Sequence, residues 1–110
     1  MVIDAPALTA LLTGQADSSR CLAFFDTPPQ ATTLTLFEVL DTLSHLEPRV
    51  ILDAIKSLDL IPVDVDLALI LEASRKPQQS RDASLAAALA RRNRTKLISL
   101  EAGQVVAKPA

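Results

Sequence analysis

Residues 80–101 read SRDASLAAALARRNRTKLISLE, and the order of features in this stretch decides the fold class. Ser80 is a residue type that caps helix N-termini, Asp82 puts an acid in the first turn, and Arg91 and Arg92 close an alanine-rich body. A side-chain oxygen at the start satisfies a free backbone N–H, while the acid and the arginines oppose the helix dipole at its two ends. The pattern predicts a helix opening at Ser80 and closing at the arginines. Leu97, Ile98, Ser99 and Leu100 then form a short apolar run ending at Glu101, the mark of a buried strand, before Ala102 and Gly103 turn the chain. A weak tail strand follows at Val105 and Val106. Helix followed at once by buried strand is the unit of a parallel sheet.

Working outward from this unit, the same alternation recurs. Leu67 to Arg75 has helical spacing and is preceded by Leu60, Ile61, Pro62 and Val63, a β-like run whose proline suits a strand end or edge. Lys76 to Ser80 is a polar connector. Thr35 and Glu38 have the T-x-x-E spacing of a capping box, and Leu36, Val39, Leu40, Leu43 and Leu46 continue at helical period, predicting a helix near 36–46. Pro48 suits the first turn of a second helix carrying Val50, Ile51, Ala54, Ile55 and Leu58, so the two should form a hairpin. At the start, Val2 and Ile3 make a short strand ending at Asp4. Pro6, Leu8, Leu11 and Leu12 then lie on one helical face that Gly14 stops. The stretch from Asp17 to Phe25 is ambiguous between helix and strand, with a lean to helix. Asp26, Thr27, Pro28 and Pro29 mark a loop, because tandem prolines lack amide donors. Strands separated by helices imply an α/β domain, a small parallel sheet flanked by helices in three layers, and 1–110 reads as one such domain.

Composition limits the functions available. With 110 residues and 49% hydrophobic side chains the chain can bury one small core, which excludes disorder and leaves no room for a second domain. Two glycines and no tyrosine or tryptophan argue against a turn-rich β sandwich. A formal net charge of -2 removes the overall basic field of a strong non-specific nucleic-acid binder, so any such contact must rest on local clusters. The one cysteine, Cys21, cannot form an intrachain disulfide, and neither it nor the one histidine, His45, has a neighbour that suggests chemistry. The first residues carry an acid and lack a basic leader region, and they are too short to span a bilayer. The expectation is a cytoplasmic protein with no membrane contact.

In a parallel sheet the strands end where the crossover helices begin, and ligands bind at that carboxyl edge. Asp4 and Glu101 each end an expected strand, and Glu38 and Asp82 each open an expected helix, so four carboxylates could converge there. Two carboxylates about 4 Å apart repel by roughly 4 kcal/mol at an effective dielectric near 20, and a divalent cation would relieve that repulsion. Mg²⁺ or Mn²⁺ takes oxygen ligands, keeps several waters, and can activate one of them against a phosphodiester. Each acid also has a structural reading. Asp4 can cap the helix begun by Pro6, Glu38 can close the capping box of Thr35, Asp82 can oppose a helix dipole, and Glu101 can be a solvated turn residue.

The succession MVIDAPALTALL, TTLTLFEVLDTL and SRDASLAAALARRNRTKLISLEAG resembles the start, middle and end of a PIN domain, the family of metal-dependent ribonucleases, over most of the chain. The resemblance implies a compact α/β nuclease fold whose acidic cluster holds Mg²⁺ or Mn²⁺. It also implies cleavage of single-stranded RNA, frequently as the toxin of a bacterial toxin–antitoxin pair. Carried over residue by residue, Asp4 matches the acid ending the first strand, Glu38 the acid opening the middle helix, and Asp82 the acid opening the alanine-rich helix. These three would be both catalytic and metal-binding, with Glu101 as a fourth ligand. The sequence departs from the family at Ala5, where a Thr or Ser is usual, and at Glu101, where Asp is common. Ser99 keeps the hydroxyl often found before that acid, and the stretch between Glu38 and Asp82 is short. The alternative implied is a degenerate PIN-like protein with a binding or regulatory role and little or no nuclease activity.

Arg91, Arg92, Arg94 and Lys96 form the densest basic cluster, but they close the alanine-rich helix at the end opposite Asp82, where cations favour the dipole. Arg81, beside Asp82, with Arg75 and Lys76 just before, are better placed to steer an RNA phosphate. Phe24, Phe25 and Phe37 suit a core rather than a base-stacking surface. The apolar helices from Leu36 to Leu58 offer a face for an antitoxin or a homodimer partner.

Overall fold

Successive residues of a strand face opposite sides of its sheet, and in the shortest strand of this protein that alternation divides the interior in two. Val2 packs with one group of buried residues and Ile3 with another. The computed structural model describes residues 1–15 and 27–110. The segment Asp17 to Phe25, together with Cys21 and Asp26, lies outside them.

Among the described residues the chain runs β1 (Val2–Ile3), α1 (Ala5–Leu12), β2 (Gln30–Thr32), α2 (Thr33–Thr42), α3 (Pro48–Ser57), β3 (Ile61–Val63), α4 (Leu67–Arg75), α5 (Arg81–Arg92), β4 (Leu97–Glu101) and β5 (Gln104–Lys108). The strands form one sheet in the order β3-β2-β1-β4-β5. The first four are parallel, and β5 returns antiparallel along β4. This is the expected three-layer α/β architecture with a mostly parallel sheet. Ile3, Ile98 and Val105 face α1, α2 and α3 through Leu8, Leu11, Val39, Leu43, Ile51 and Ile55. Val2 and Leu97 face α5 and α4 through Leu89, Leu85, Leu69 and the alanines Ala86 to Ala90. Alanine is used there because α5 lies across the centre of the sheet, and small side chains let the two backbones approach closely.

Three expectations are corrected. The first concerns β2, which the sequence did not suggest. Gln30, Ala31 and Thr32 lack an apolar run, yet they pair with β1 on one side and β3 on the other. Gln30 is tolerated at the strand start because its Oε1 accepts a hydrogen bond from Asn93 Nδ2 at 2.6 Å. The second concerns the middle helix, which begins at Thr33 rather than Leu36 and is capped by Thr32, whose hydroxyl oxygen accepts from the Thr35 amide at 3.0 Å. Thr35 and Glu38 therefore do not form a capping box. The third concerns Phe37, expected in the core but 65% exposed on α2. The expected tail strand is present and longer, because Ala102 and Gly103, both at positive φ, make a two-residue hairpin turn that supports a full five-residue strand. The sheet is therefore mixed.

Pro62 has a specific place in this sheet. Ile61 donates its amide to the Pro29 carbonyl at 2.8 Å, so the next nitrogen faces the open side of edge strand β3. That nitrogen belongs to proline and has no hydrogen to offer, which blunts the edge against pairing with another strand. Among the described residues no helix is long and apolar enough to cross a membrane.

Candidate functional site

Three helices begin at the carboxyl edge of the central strands, and their first turns meet. α1 starts directly after β1, with Asp4 as its N-cap, and Asp4 Oδ1 accepts the Ala7 amide at 3.0 Å. α2 starts directly after β2. α5 arrives from the opposite face, with Ser80 as its cap at 3.0 Å from the Ala83 amide and Asp82 in its first turn. Strand ends and helix starts coincide here because the connections β1–α1 and β2–α2 contain one residue or none.

Asp82 joins the three helices. Its Oδ2 accepts the Ala5 amide at 2.8 Å, and its Oδ1 accepts a short hydrogen bond from the Thr35 hydroxyl. Thr32 donates in turn to Thr35 Oγ1 at 3.2 Å. The side chain is 1% exposed and Asp4 is 4% exposed. Backbone N–H groups at helix starts carry partial positive charge, and this is what allows a carboxylate to be buried among them. Ala5 contributes through its amide alone, so the absence of a hydroxyl side chain at this position leaves the contact to Asp82 intact.

The two aspartates are close enough for charge coupling. Burial holds the Asp4 carboxyl above the ordinary aspartate range, and the neighbouring Asp82 charge adds to the rise. The Ala7 amide, the nearby Ser99 hydroxyl and the Lys108 charge partly offset it. Glu38 lies one turn beyond the opening of α2, at the rim. Its carboxyl is also raised, by burial first and then by Asp82, with Arg81 acting in the opposite direction. Among the described residues neither Asp4 nor Asp82 takes part in an ion pair with Lys or Arg.

The expected residues thus divide. Asp4 and Asp82 come together as a buried pair, and Glu38 stands beside them within electrostatic reach of Asp82. Glu101 does not join them. The Asp4 amide donates to the Ile98 carbonyl at 3.1 Å, and Ile3 stands opposite Ile98, so Ser99 is level with Asp4 and Glu101 is two residues further along β4. There Glu101 is exposed and bonded to Lys108 Nζ at 2.6 Å. Among the described residues no three His, Cys, Asp or Glu side chains converge as a group that could hold a metal ion. The acids form a pair with a satellite.

Of the basic residues, Arg81 is exposed at the opening of α5 and acts on Glu38. α4 runs antiparallel to α5, since its cap Asp66 pairs with Arg92 at 3.3 Å, so Arg75 and Lys76 end α4 on the same side as Arg81. Arg75 pairs with Glu72 at 3.3 Å in solvent. Sequence reasoning missed the roles of Thr32 and Thr35. Their T-x-x-T spacing at a helix start carried the signal, but Glu38 drew the cap to the wrong residue.

A solved structure described as a toxin-antitoxin complex from Klebsiella pneumoniae superposes with a TM-score of 0.73, covering 96% of this chain and 95% of that one. The fold is shared. At 13% sequence identity the likeness establishes architecture over nearly the whole length and nothing about individual residues. No family model and no curated protein matches the sequence.

Proposed function

We propose that the chain is a toxin-type, PIN-like endoribonuclease that hydrolyses single-stranded RNA at the Asp4–Asp82 edge with a magnesium or manganese ion, and that a protein antitoxin is its partner. The observation that carries this reading is a buried aspartate pair that forms no ion pair with Lys or Arg among the described residues. Such a pair is costly unless a proton or a cation joins it. The donor set fits a hard divalent ion, because magnesium commonly takes one or two carboxylates and completes its shell with water and substrate phosphate. Two acids close enough for their charges to couple therefore suffice where three do not converge. When bound, the ion would supply charge neutralisation and an activated water.

The chain's own residues supply the positioning. Ala5 and Thr35 fix both oxygens of Asp82, and the Ala7 amide orients Asp4. Glu38, raised by its surroundings, is suited to hold or hand on a proton at the rim. Arg81, Arg75 and Lys76 lie on the side from which a phosphate would approach. The toxin role draws on the fold shared with a protein described as part of a toxin-antitoxin complex. The exposed Phe37 and Val50 on the α2–α3 pair leave a surface for the antitoxin or for a homodimer.

A second reading is favoured by a specific observation. Both oxygens of Asp82 are already engaged by the protein, which is the arrangement of a helix tie. In that reading the chain keeps the fold and serves as a binding or regulatory protein without hydrolysis. Cleavage of a single-stranded RNA by the parent, Asp4→Asn and Asp82→Asn, with Mn²⁺ and with chelator, separates the two. The nuclease reading expects Mn²⁺-dependent cleavage that falls about a thousandfold in both variants, the size of several kcal/mol of lost charge stabilisation. Equal product from all three proteins, or none from the parent, sinks it.

A further inference from the structure

A second feature lies on the same side of the molecule as Arg81 but outside the acid pair. An open groove of about 510 Å³ lies between α4 and α5, beside the connector that joins them. Its floor is aliphatic, formed by Leu34, Val65, Ile70, Ala73 and Leu85, and its far end is polar, closed by residues 77–81. The apolar surface continues past the groove onto the outer face of α4. Leu67, Ile70 and Leu71 are 70%, 47% and 52% exposed, and their spacing of three and four places them on one helical stripe. Contiguous apolar surface of this kind on a small domain marks an interaction site.

The residues that line the groove carry one sign of charge. Arg81 is the charged residue that lines it, and Arg75 and Lys76 stand between the lining residues Ser74 and Pro77. Glu72 and Arg75 pair with each other, and Asp66, beside the lining residue Val65, pairs with Arg92, which leaves Arg81 and Lys76 to set the charge at this end of the groove, with Asp64 at the other. The rest of the chain is net acidic, so this basic rim is a local feature. Its complement carries negative charge and aliphatic side chains together. A nucleic acid supplies the charge, but its bases stack on aromatic faces, and none lines this floor.

We infer that the groove between α4 and α5 docks an amphipathic helical segment of a partner protein, with aliphatic residues at helical spacing against Ile70, Leu85 and Leu67 and an acidic residue against Arg81. A helix lying along α4 would cover the exposed stripe and the floor in one pass, the usual way an apolar groove receives a peptide. This holds whether or not the acid edge is catalytic.

Selection of a displayed random-peptide library against the full chain tests it. The expected consensus has Leu, Ile or Val three or four positions apart with Asp or Glu nearby. Selected peptides should shift the amide resonances of Leu34, Val65, Ala73 and Leu85 in the parent protein. Ile70 and Arg81 are exposed, so their replacement should leave the fold standing. Ile70→Glu should weaken binding by about tenfold or more, and Arg81→Glu should abolish the preference for Asp or Glu. Peptides that bind Ile70→Glu as well as the parent, or that perturb another face, overturn the inference. So does a single-stranded oligouridylate that shifts these four amides when no peptide does, since the groove would then be a nucleic-acid subsite.

Discussion

Asp82 opens a helix and Glu101 ends a strand, both were expected at one edge of the sheet, and the protein treats them in opposite ways. Asp82 is buried, holds three helix starts together, and forms no ion pair with Lys or Arg among the described residues. Glu101 is in solvent and bonded to Lys108. The difference comes from register. Asp82 enters from a helix that crosses the sheet centre, whereas β4 overshoots β1 by several residues and carries its last acid beyond the level of Asp4. An acid that ends a strand belongs to the carboxyl-edge site only when the neighbouring strand ends at the same level.

The largest effect that would sharpen this comparison comes from Asp82→Ala. The Ala5 amide and the Thr35 hydroxyl would be left buried without an acceptor, at a cost of about 3 kcal/mol. Urea unfolding monitored by circular dichroism measures it. A loss below about 1 kcal/mol would show that water replaces the carboxylate and that Asp82 is no tie. Thr35→Val, nearly isosteric, removes one donor to Asp82 and the acceptor for Thr32. About 2 kcal/mol is expected from the same measurement, smaller because the Ala5 contact survives.

Asp4 sharpens the comparison from the side of charge. Its folded carboxyl binds a proton more tightly than the unfolded one, so the folded state holds more protons between the ordinary aspartate range and the raised value. Stability contributed by that proton is fully present at acid pH and is lost as pH rises through the raised value. Asp4→Asn keeps the acceptor for the Ala7 amide and removes the titration. The variant should therefore melt higher than the parent at pH 7 and by a smaller margin at pH 4, in the absence of metal. A margin that grows towards acid pH would contradict the burial of an uncompensated charge. If cleavage is lost in the same variant, the site trades stability for chemistry.

How much of this was legible in the sequence follows the same division between local and non-local causes. α5 was readable at both ends because its cap, first-turn acid and closing arginines are local signals, and β4 was readable because buried parallel strands are apolar runs. β2 was not. Three residues beginning with Gln30 have no periodicity, and the segment is a strand only because β1 and β3 lie on either side. Asp4 and Asp82 could be assigned to the edge from topology. The placing of Glu38 in a first turn failed because Thr32 and Thr35 are both capping residue types, and the choice between them is made by where β2 ends. The separation of Glu101 from the pair was not legible for want of register, which no single sequence displays. Thr35 as a partner of Asp82, 47 positions away, had no local signature at all.

The smallest expected effect is the one that bears most directly on whether the acid site has two members or more. Glu101 and Lys108 are both about half exposed, so their ion pair is screened and contributes little despite its 2.6 Å length. Glu101→Gln should change stability by no more than about 0.5 kcal/mol. Lys108 also acts on Asp4 through its charge, and releasing it from Glu101 leaves that influence in place. Mn²⁺-dependent cleavage, where the parent shows it, should then stay within about threefold, against the thousandfold loss expected for Asp4→Asn. A loss in Glu101→Gln that approaches the Asp4→Asn loss would mean that β4 and β5 rearrange when substrate and cation are present. Glu101 would then leave Lys108 and reach the pair, and the contrast between a buried tie and a solvated ion pair would hold for the resting protein only.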